Sequence, residues 1–209
     1  MEYISVLLTI LTIHILVVIS PWPDFIMAVK NSLTYGRKAG MRTAVWFGWG
    51  IAVHVTYCAL GLALIISKSI LLFSIIKWLG ALYLARIGIQ ALLSKGWGKL
   101  SVEWYQQSGN TIWWKKALQQ GFLTNVLNPK ATLFFLWLFT VVISPATPTR
   151  VLIIASIFMV INTTLWFCLV SIFLTNPVIR NKFQRRSVVI NKVLWGALLA
   201  LGVKIAVTE

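Results

Sequence analysis

Long apolar runs separated by short polar stretches occupy most of the chain. A helix that crosses the hydrocarbon core of a bilayer needs about 20 largely apolar residues. The pattern predicts six such spans, at residues 3–30, 43–66, 70–93, 117–143, 151–175 and 188–207. We therefore expect an all-α membrane protein with a single transmembrane domain over residues 1–209.

The six spans divide into two groups of three, at about residues 1–93 and 115–209, with a linker at about 94–114. Because three is odd, the second group enters the membrane from the opposite side, which is the setting of inverted repeats. The expected fold is six transmembrane helices in two inverted three-helix repeats, with the first helix of each half broken.

Each of these first helices contains prolines followed at once by a charge, Asp24 in the first half and Lys130 in the second. Proline inside a helix removes a backbone hydrogen bond and costs about 3 kcal/mol in water. In hydrocarbon the freed carbonyls need partners inside the protein, so both breaks should face the interior. The residues of the two breaks are Pro21, Trp22, Pro23, Asn128 and Pro129.

The composition supports a membrane protein, since the chain is 59% hydrophobic and only 11% charged. A soluble domain carries about 25% charged residues. The formal net charge is +15. The cations lie between apolar runs, which suits lipid headgroups better than nucleic acid, so a nucleic-acid partner is not expected.

Basic residues concentrate in the connections after spans one, three and five. Cytoplasmic loops carry an excess of Lys and Arg. These connections, including the 94–114 linker, are therefore predicted to be cytoplasmic, with the N- and C-termini periplasmic.

Asp24 and Lys130 occupy equivalent places in halves of opposite orientation, so a pseudo-twofold axis would bring them face to face. A charge at the bilayer centre costs about 2.5–3.5 kcal/mol on insertion scales. The two residues could form a structural ion pair. Alternatively, they form a site for a zwitterion, with Asp24 binding the ammonium group, and Lys130 and the helix ends binding the carboxylate. The two interpretations are compatible.

Other polar residues in the spans are candidates for supporting roles. Asn125 and Asn128 could bind substrate or cap the restarted helix, and Asn128 is the better cap candidate. His14 is a candidate proton relay or a structural histidine, whereas a structural role is favoured for His54. No metal-ligand spacing or hydrolytic motif is present, so we expect no metal, no cofactor and no enzymatic activity.

Several motifs together resemble the LysE/RhtB family of bacterial amino-acid exporters, and within it the threonine and homoserine-lactone efflux branch. They are SPWPDF at 20–25, GRKAG at 36–40, ALYLARIGIQAL at 81–92, GFLTNVLNPKA at 121–131 and NKFQRRSVVINKVLWGALLALGVKIA at 181–206. The resemblance implies a six-span exporter of the inner (plasma) membrane, a homodimer, driven by the proton gradient.

Two residues depart from the family pattern. Trp22 replaces the glycine of Pro-Gly-Pro-Asp, so its indole should fill space that glycine leaves open. Asn162 stands where close relatives carry an acid, which leaves proton binding to Asp24, the only aspartate in the chain.

The resulting hypothesis is a secondary exporter of small neutral amino acids or derivatives, of the threonine, homoserine or homoserine lactone class, coupled to protons. Its expected partners are the amino-acid substrate, protons and the lipid bilayer. The alternative is a membrane scaffold or assembly subunit that transports nothing, in which the Asp24–Lys130 pair is purely structural.

Overall fold

The structure, a computed structural model, describes residues 2–20, 23–68, 114–143 and 147–183, together with isolated positions between 71 and 93 and between 185 and 196. Within these ranges all regular secondary structure is helical. The helices are α1 (Glu2–Ile19), α2 (Pro23–Tyr35), α3 (Arg37–Lys68), α4 (Trp114–Leu118), α5 (Thr124–Val126), α6 (Pro129–Trp137) and α7 (Thr149–Phe173). Residues 177–183 are also helical, and π-helical turns at Gln119–Leu123 and Leu138–Val142 follow α4 and α6.

Two straight helices are long and apolar enough to cross a membrane, over Arg37–Gly61 in α3 and over Thr149–Phe173 in α7. Helix α7 is apolar on more than one face, as expected for a helix in hydrocarbon. Its buried side repeats every four residues at Val151, Ala155, Met159, Thr163, Phe167 and Ser171. Its exposed apolar side chains include Ile153, Ile157, Ile161, Leu165, Leu169 and Phe173.

Two further spans are bent where the sequence predicts breaks. Helices α1 and α2 meet at 52° between Ile19 and Pro23, and the segments Lys115–Val126 and Pro129–Val142 meet at 49°. Counting each bent pair as one span gives four spans in the described part of the chain. The predicted spans 70–93 and 188–207 and the 94–114 linker lie outside the described residues, so the count of six and the inverted repeat remain predictions.

Helices α3 and α7 pack antiparallel through small residues. Arg37 Nε donates a hydrogen bond to Thr175 Oγ1 at 2.8 Å, just beyond the end of α7. Farther along α3, Gly48 lies so close to Thr164 that a Cβ atom there would overlap the Thr164 hydroxyl. The close approach of the two helices therefore depends on the absence of a side chain at Gly48.

The basic connections gather at one end of the molecule. The ammonium group of Lys116, at the start of span four, lies 5.7 Å from the centroid of the Tyr35 ring at the end of span one. The Arg37–Thr175 hydrogen bond brings the connection after span five to the same end. Span one therefore ends where span four begins, and the two bent spans cross the molecule in opposite directions.

Candidate functional site

The first break leaves a backbone carbonyl without its helical donor. Pro21 has no N–H, so the Val17 carbonyl four residues earlier lacks its usual partner. Ser20 replaces that partner, since its backbone N donates to Val17 O at 3.1 Å and its hydroxyl at 2.5 Å. Both bonds lie in the protein interior, as the sequence predicts for a broken membrane helix.

The second break is repaired by a side chain from another span. Pro129 cannot donate to the Asn125 carbonyl. That carbonyl lies 3.1 Å from His54 Nε2 and 3.0 Å from the backbone N of Asn128. Because a carbonyl only accepts, Nε2 carries the proton, and His54 Nδ1 accepts the Tyr57 hydroxyl at 2.7 Å. His54 therefore holds the break of span four against α3.

Asn128 caps the helix that restarts after this break. Its Oδ1 accepts a hydrogen bond from the backbone N of Lys130 at 3.0 Å, and Pro129 occupies the first position of α6. The N–H groups of the first helical turn have no partner within the helix. Proline, which lacks an N–H, therefore costs no hydrogen bond at this position, and the Asn128 side chain serves the next N–H. The capping role predicted for Asn128 is confirmed.

Asp24 lies in the first turn of α2 and is 4% exposed. Its Oδ2 accepts a hydrogen bond from Asn125 Nδ2 at 2.7 Å, which joins the two bent spans at their breaks. The sequence places Asp24 opposite Lys130, whereas the partner that the structure gives Asp24 is Asn125. Lys130 is half-buried at the start of α6.

A small cavity lies between the two breaks. It leaves about 20 Å³ open to the centres of water-sized molecules, which is room for about one water. Among the described residues, its polar lining is formed by His14, Asp24, Asn125 and Thr163. Its apolar lining is Val17, Val18, Ile51, Ala131, Phe134, Phe135 and Phe167. Lys130 lies outside this lining.

Each polar residue of the lining has a buried atom without a hydrogen-bond partner. These atoms are His14 Nε2, Asp24 Oδ1, Asn125 Oδ1 and Thr163 Oγ1. A buried polar group without a partner costs about 1–3 kcal/mol. Each of these atoms belongs to a residue that lines the cavity, so a small hydrogen-bonding ligand that reached them would satisfy them.

Asn162 fixes the orientation of His14 without lining the cavity. Its Nδ2 lies 3.2 Å from His14 Nδ1. Because an amide nitrogen only donates, Nδ1 accepts, and the neutral ring carries its proton on Nε2. The atom of His14 without a partner is therefore a donor, and Asn162, predicted as an accessory residue, positions it.

Thr163 was not singled out by the sequence, although it is 1% exposed and lines the cavity. The hydropathy pattern carries no signal for it, because the four-residue repeat of buried positions along α7, on which Thr163 falls and Thr164 does not, is seen only in the structure. Pro21 and Trp22 lie outside the described residues. In the described part of the chain, no group of three or more His, Cys, Asp or Glu side chains could hold a metal ion.

Comparison with known proteins assigns the family. Residues 15–209 match the model of the LysE type translocators. The chain is 32% identical to an uncharacterized membrane protein of Bacillus subtilis over 77% of its length and 79% of that protein. It is 31% identical to the threonine efflux protein of Escherichia coli K12 over 85% of its length and 86% of that protein.

A homoserine/homoserine lactone efflux protein of Salmonella typhimurium is 30% identical to the chain over 62% of its length and 61% of that protein. No solved structure matches the chain significantly. The family model covers almost the whole chain, and the relatives are similar over most of it. The chain therefore belongs to the family of LysE type translocators.

Proposed function

We propose that the protein is a secondary exporter of small neutral amino acids or their derivatives, of the threonine, homoserine or homoserine lactone class. The observation that carries this proposal is the buried Asp24 carboxylate, which lines a small, largely apolar cavity between two bent spans and has one oxygen without a partner. The relatives known as threonine efflux and homoserine/homoserine lactone efflux proteins support the substrate class.

In this proposal Asp24 binds the substrate's ammonium group. An ammonium donates to a carboxylate in a charge-assisted hydrogen bond, which is stronger than the bond from the neutral Asn125 amide. The carboxylate of the substrate is bound by Lys130 and the N-terminal end of α6, where Pro129 and the Asn128 cap start the helix. Pro21, Pro23 and Trp22 shape the other side of the site, and Trp22 limits the size of the substrate.

Transport requires the two bent spans to separate, because a cavity that holds about one water is much smaller than an amino acid. The hydrogen bond from Asn125 to Asp24 joins these spans. The substrate's ammonium group replaces the Asn125 amide on Asp24, and this exchange loosens the contact between the spans. Alternating access then follows from movement of two inverted repeats about the breaks.

Export is driven by protons in exchange for substrate, with Asp24 as the group that cycles between protonated and ionised forms and His14 as the relay. The basic end of the molecule faces the cytoplasm, both termini are periplasmic, and the protein is a homodimer in the inner membrane. The clustered cations at one end support this orientation.

Efflux from proteoliposomes loaded with radiolabelled threonine or homoserine tests the proposal. The wild-type protein should release substrate when a proton gradient is imposed, and a proton ionophore should abolish the release. An Asp24→Asn variant, whose amide oxygen can still accept from Asn125, should remain folded and lose efflux. Equal efflux from the wild-type and Asp24→Asn proteins would contradict the role of Asp24, and ionophore-resistant flux would contradict proton coupling.

The same assay addresses the scaffold alternative. A scaffold would move no amino acid, and replacement of both Asp24 and Lys130 by apolar residues would leave a folded assembly. The unpartnered polar atoms of the cavity do not favour this alternative, because a purely structural site gains by satisfying its buried groups.

A further inference from the structure

We propose that Thr163 and His14 form a subsite for the side-chain hydroxyl of the substrate, so that the protein selects hydroxylated amino acids over apolar analogues of equal size. This inference rests on the proposed function and assigns its substrate specificity to two residues. The ammonium group and the hydroxyl are then recognised by different helices, the ammonium group by α2 and the hydroxyl by α1 and α7.

The Thr163 hydroxyl behaves unlike other hydroxyls in these helices. A serine or threonine within a helix commonly donates to the carbonyl four residues earlier. This bond is made by Ser32 to Ala28, by Thr43 to Ala39, by Thr140 to Leu136, by Thr164 to Val160 and by Ser171 to Phe167. Among the described residues, Thr163 is the buried hydroxyl that has no partner at all.

His14 supplies a complementary group on the opposite helix. It is 1% exposed, and its unpartnered Nε2 carries the ring proton because Nδ1 accepts from Asn162. Asn162 is the residue next to Thr163, so the hydrogen bond that orients His14 also brings α1 against this turn of α7. The subsite is therefore held in place from outside the cavity.

A hydroxyl group matches this pair because it both accepts and donates one hydrogen bond. His14 Nε2–H would donate to the substrate hydroxyl, and the substrate hydroxyl would donate to Thr163 Oγ1. Among the described residues of the lining, the other polar groups belong to Asp24, which binds the ammonium group, and to Asn125, whose amide the ammonium group replaces. The remaining described lining residues are aliphatic or aromatic and offer a methyl or methylene group apolar contacts.

The subsite should discriminate against an analogue that lacks the hydroxyl. Such an analogue would leave His14 and Thr163 buried without partners, which a site built to bind a hydroxyl penalises. Valine is the matched analogue, since it has the shape of threonine with a methyl group in place of the hydroxyl. We expect the wild-type protein to prefer threonine over valine by roughly 10- to 100-fold in relative export rate.

The test is competitive export of threonine and valine by the full-length protein in proteoliposomes, for the wild type, Thr163→Val, Thr163→Ser and Thr164→Val. Thr164 is the matched control, because it is adjacent, bonds its own backbone and packs on Gly48 outside the cavity. Thr163→Val should clearly reduce the preference for threonine, because only the hydrogen bond from His14 to the substrate hydroxyl remains, whereas Thr163→Ser and Thr164→Val should retain the preference.

Two outcomes would overturn the assignment. One is a wild-type protein that exports threonine and valine equally well, which needs no variant to fold. The other is a Thr163→Val protein that exports with the wild-type preference. A wild-type protein that exports none of the amino acids offered would instead contradict the proposed function, and the hydroxyl subsite with it.

Discussion

At the scale of single residues, Asn125 makes the contacts that hold the site together. Its side-chain amide donates to Asp24, and its backbone carbonyl accepts from His54. Its Oδ1 lies against Gly50 of α3, where a Cβ atom would overlap it. The position of the Asp24 carboxylate therefore depends on Gly50, because the absence of a side chain there leaves room for the Asn125 amide.

Gly50→Ala should displace the Asn125 amide from Asp24. The added Cβ atom occupies the place of Asn125 Oδ1, so we expect a loss of about 1–3 kcal/mol in unfolding free energy and a marked loss of efflux. Gly61→Ala is the matched control on the same helix, because a Cβ atom at Gly61 meets nothing within 4 Å. Thermal unfolding in detergent and threonine efflux would measure both, and equal behaviour of the two variants would contradict the contact.

At the scale of helices, the two proline breaks differ in the donor that satisfies the backbone carbonyl left without a partner. The Val17 carbonyl is satisfied locally by Ser20, whereas the Asn125 carbonyl is satisfied by His54 from α3. The second break is therefore tied to α3, and the hydrogen bond from Asn125 to Asp24 links the first break to the second. His54 also stacks on Phe135 of α6, with ring centroids 5.4 Å apart and planes at 10°.

A double-mutant cycle between His54 and Pro129 separates the hydrogen bond from His54 to the Asn125 carbonyl from the stacking of His54 on Phe135. His54→Leu should destabilise the protein by about 1–3 kcal/mol, because the freed Asn125 carbonyl loses a donor. In a Pro129→Ala background the restored N–H of residue 129 can donate to that carbonyl. His54→Leu should then lower the unfolding free energy by clearly less. The difference between the two losses is the coupling energy. Equal costs in the two backgrounds, measured by chemical unfolding in detergent, would show that His54 does not serve the break.

At the scale of the whole molecule, the two bent spans run in opposite directions and bring their breaks to one buried cavity. The start of span four lies beside the end of span one through Lys116 and Tyr35, and the end of span five joins them through Arg37 and Thr175. The basic connections therefore share one end of the structure. Because cytoplasmic loops carry an excess of Lys and Arg, this concentration of positive charge supports the proposed cytoplasmic position of that end.

Single cysteines report this orientation in a background with Cys58 and Cys168 replaced by alanine. A membrane-impermeant maleimide should label Thr147→Cys in intact cells, and label Lys38→Cys and Arg180→Cys only in inverted vesicles. The reason is that Lys38 and Arg180 belong to the basic end, whereas Thr147 lies before α7 at the other end. Labelling of Lys38→Cys and Arg180→Cys from opposite sides would contradict the arrangement of the spans.

The elements could be predicted from the sequence because they depend on local chemistry. Apolar runs of sufficient length gave the four described spans, and prolines gave both breaks. Asn128 could be assigned as a cap because an asparagine before proline at a helix start has few other uses.

The contacts between helices could not be predicted, because they depend on the rotation of each helix about its axis. In α7 apolar residues occur on more than one face, so hydropathy does not distinguish Thr163 from Thr164. Lys130 is expected from the sequence to face Asp24 because the two residues follow prolines at equivalent places in halves of opposite orientation. The structure instead gives Asp24 the amide of Asn125, a pairing set by how α2 and α5 are packed on α3.

The most direct test of the account is threonine binding to the purified protein, measured by calorimetry for the wild type and Asp24→Asn. The account predicts that the wild type binds and that Asp24→Asn, with an unchanged melting temperature, binds at least about 10-fold more weakly, because a charge-assisted bond is lost. Equal affinity in the two proteins would contradict the claim that the buried carboxylate between the breaks holds the substrate.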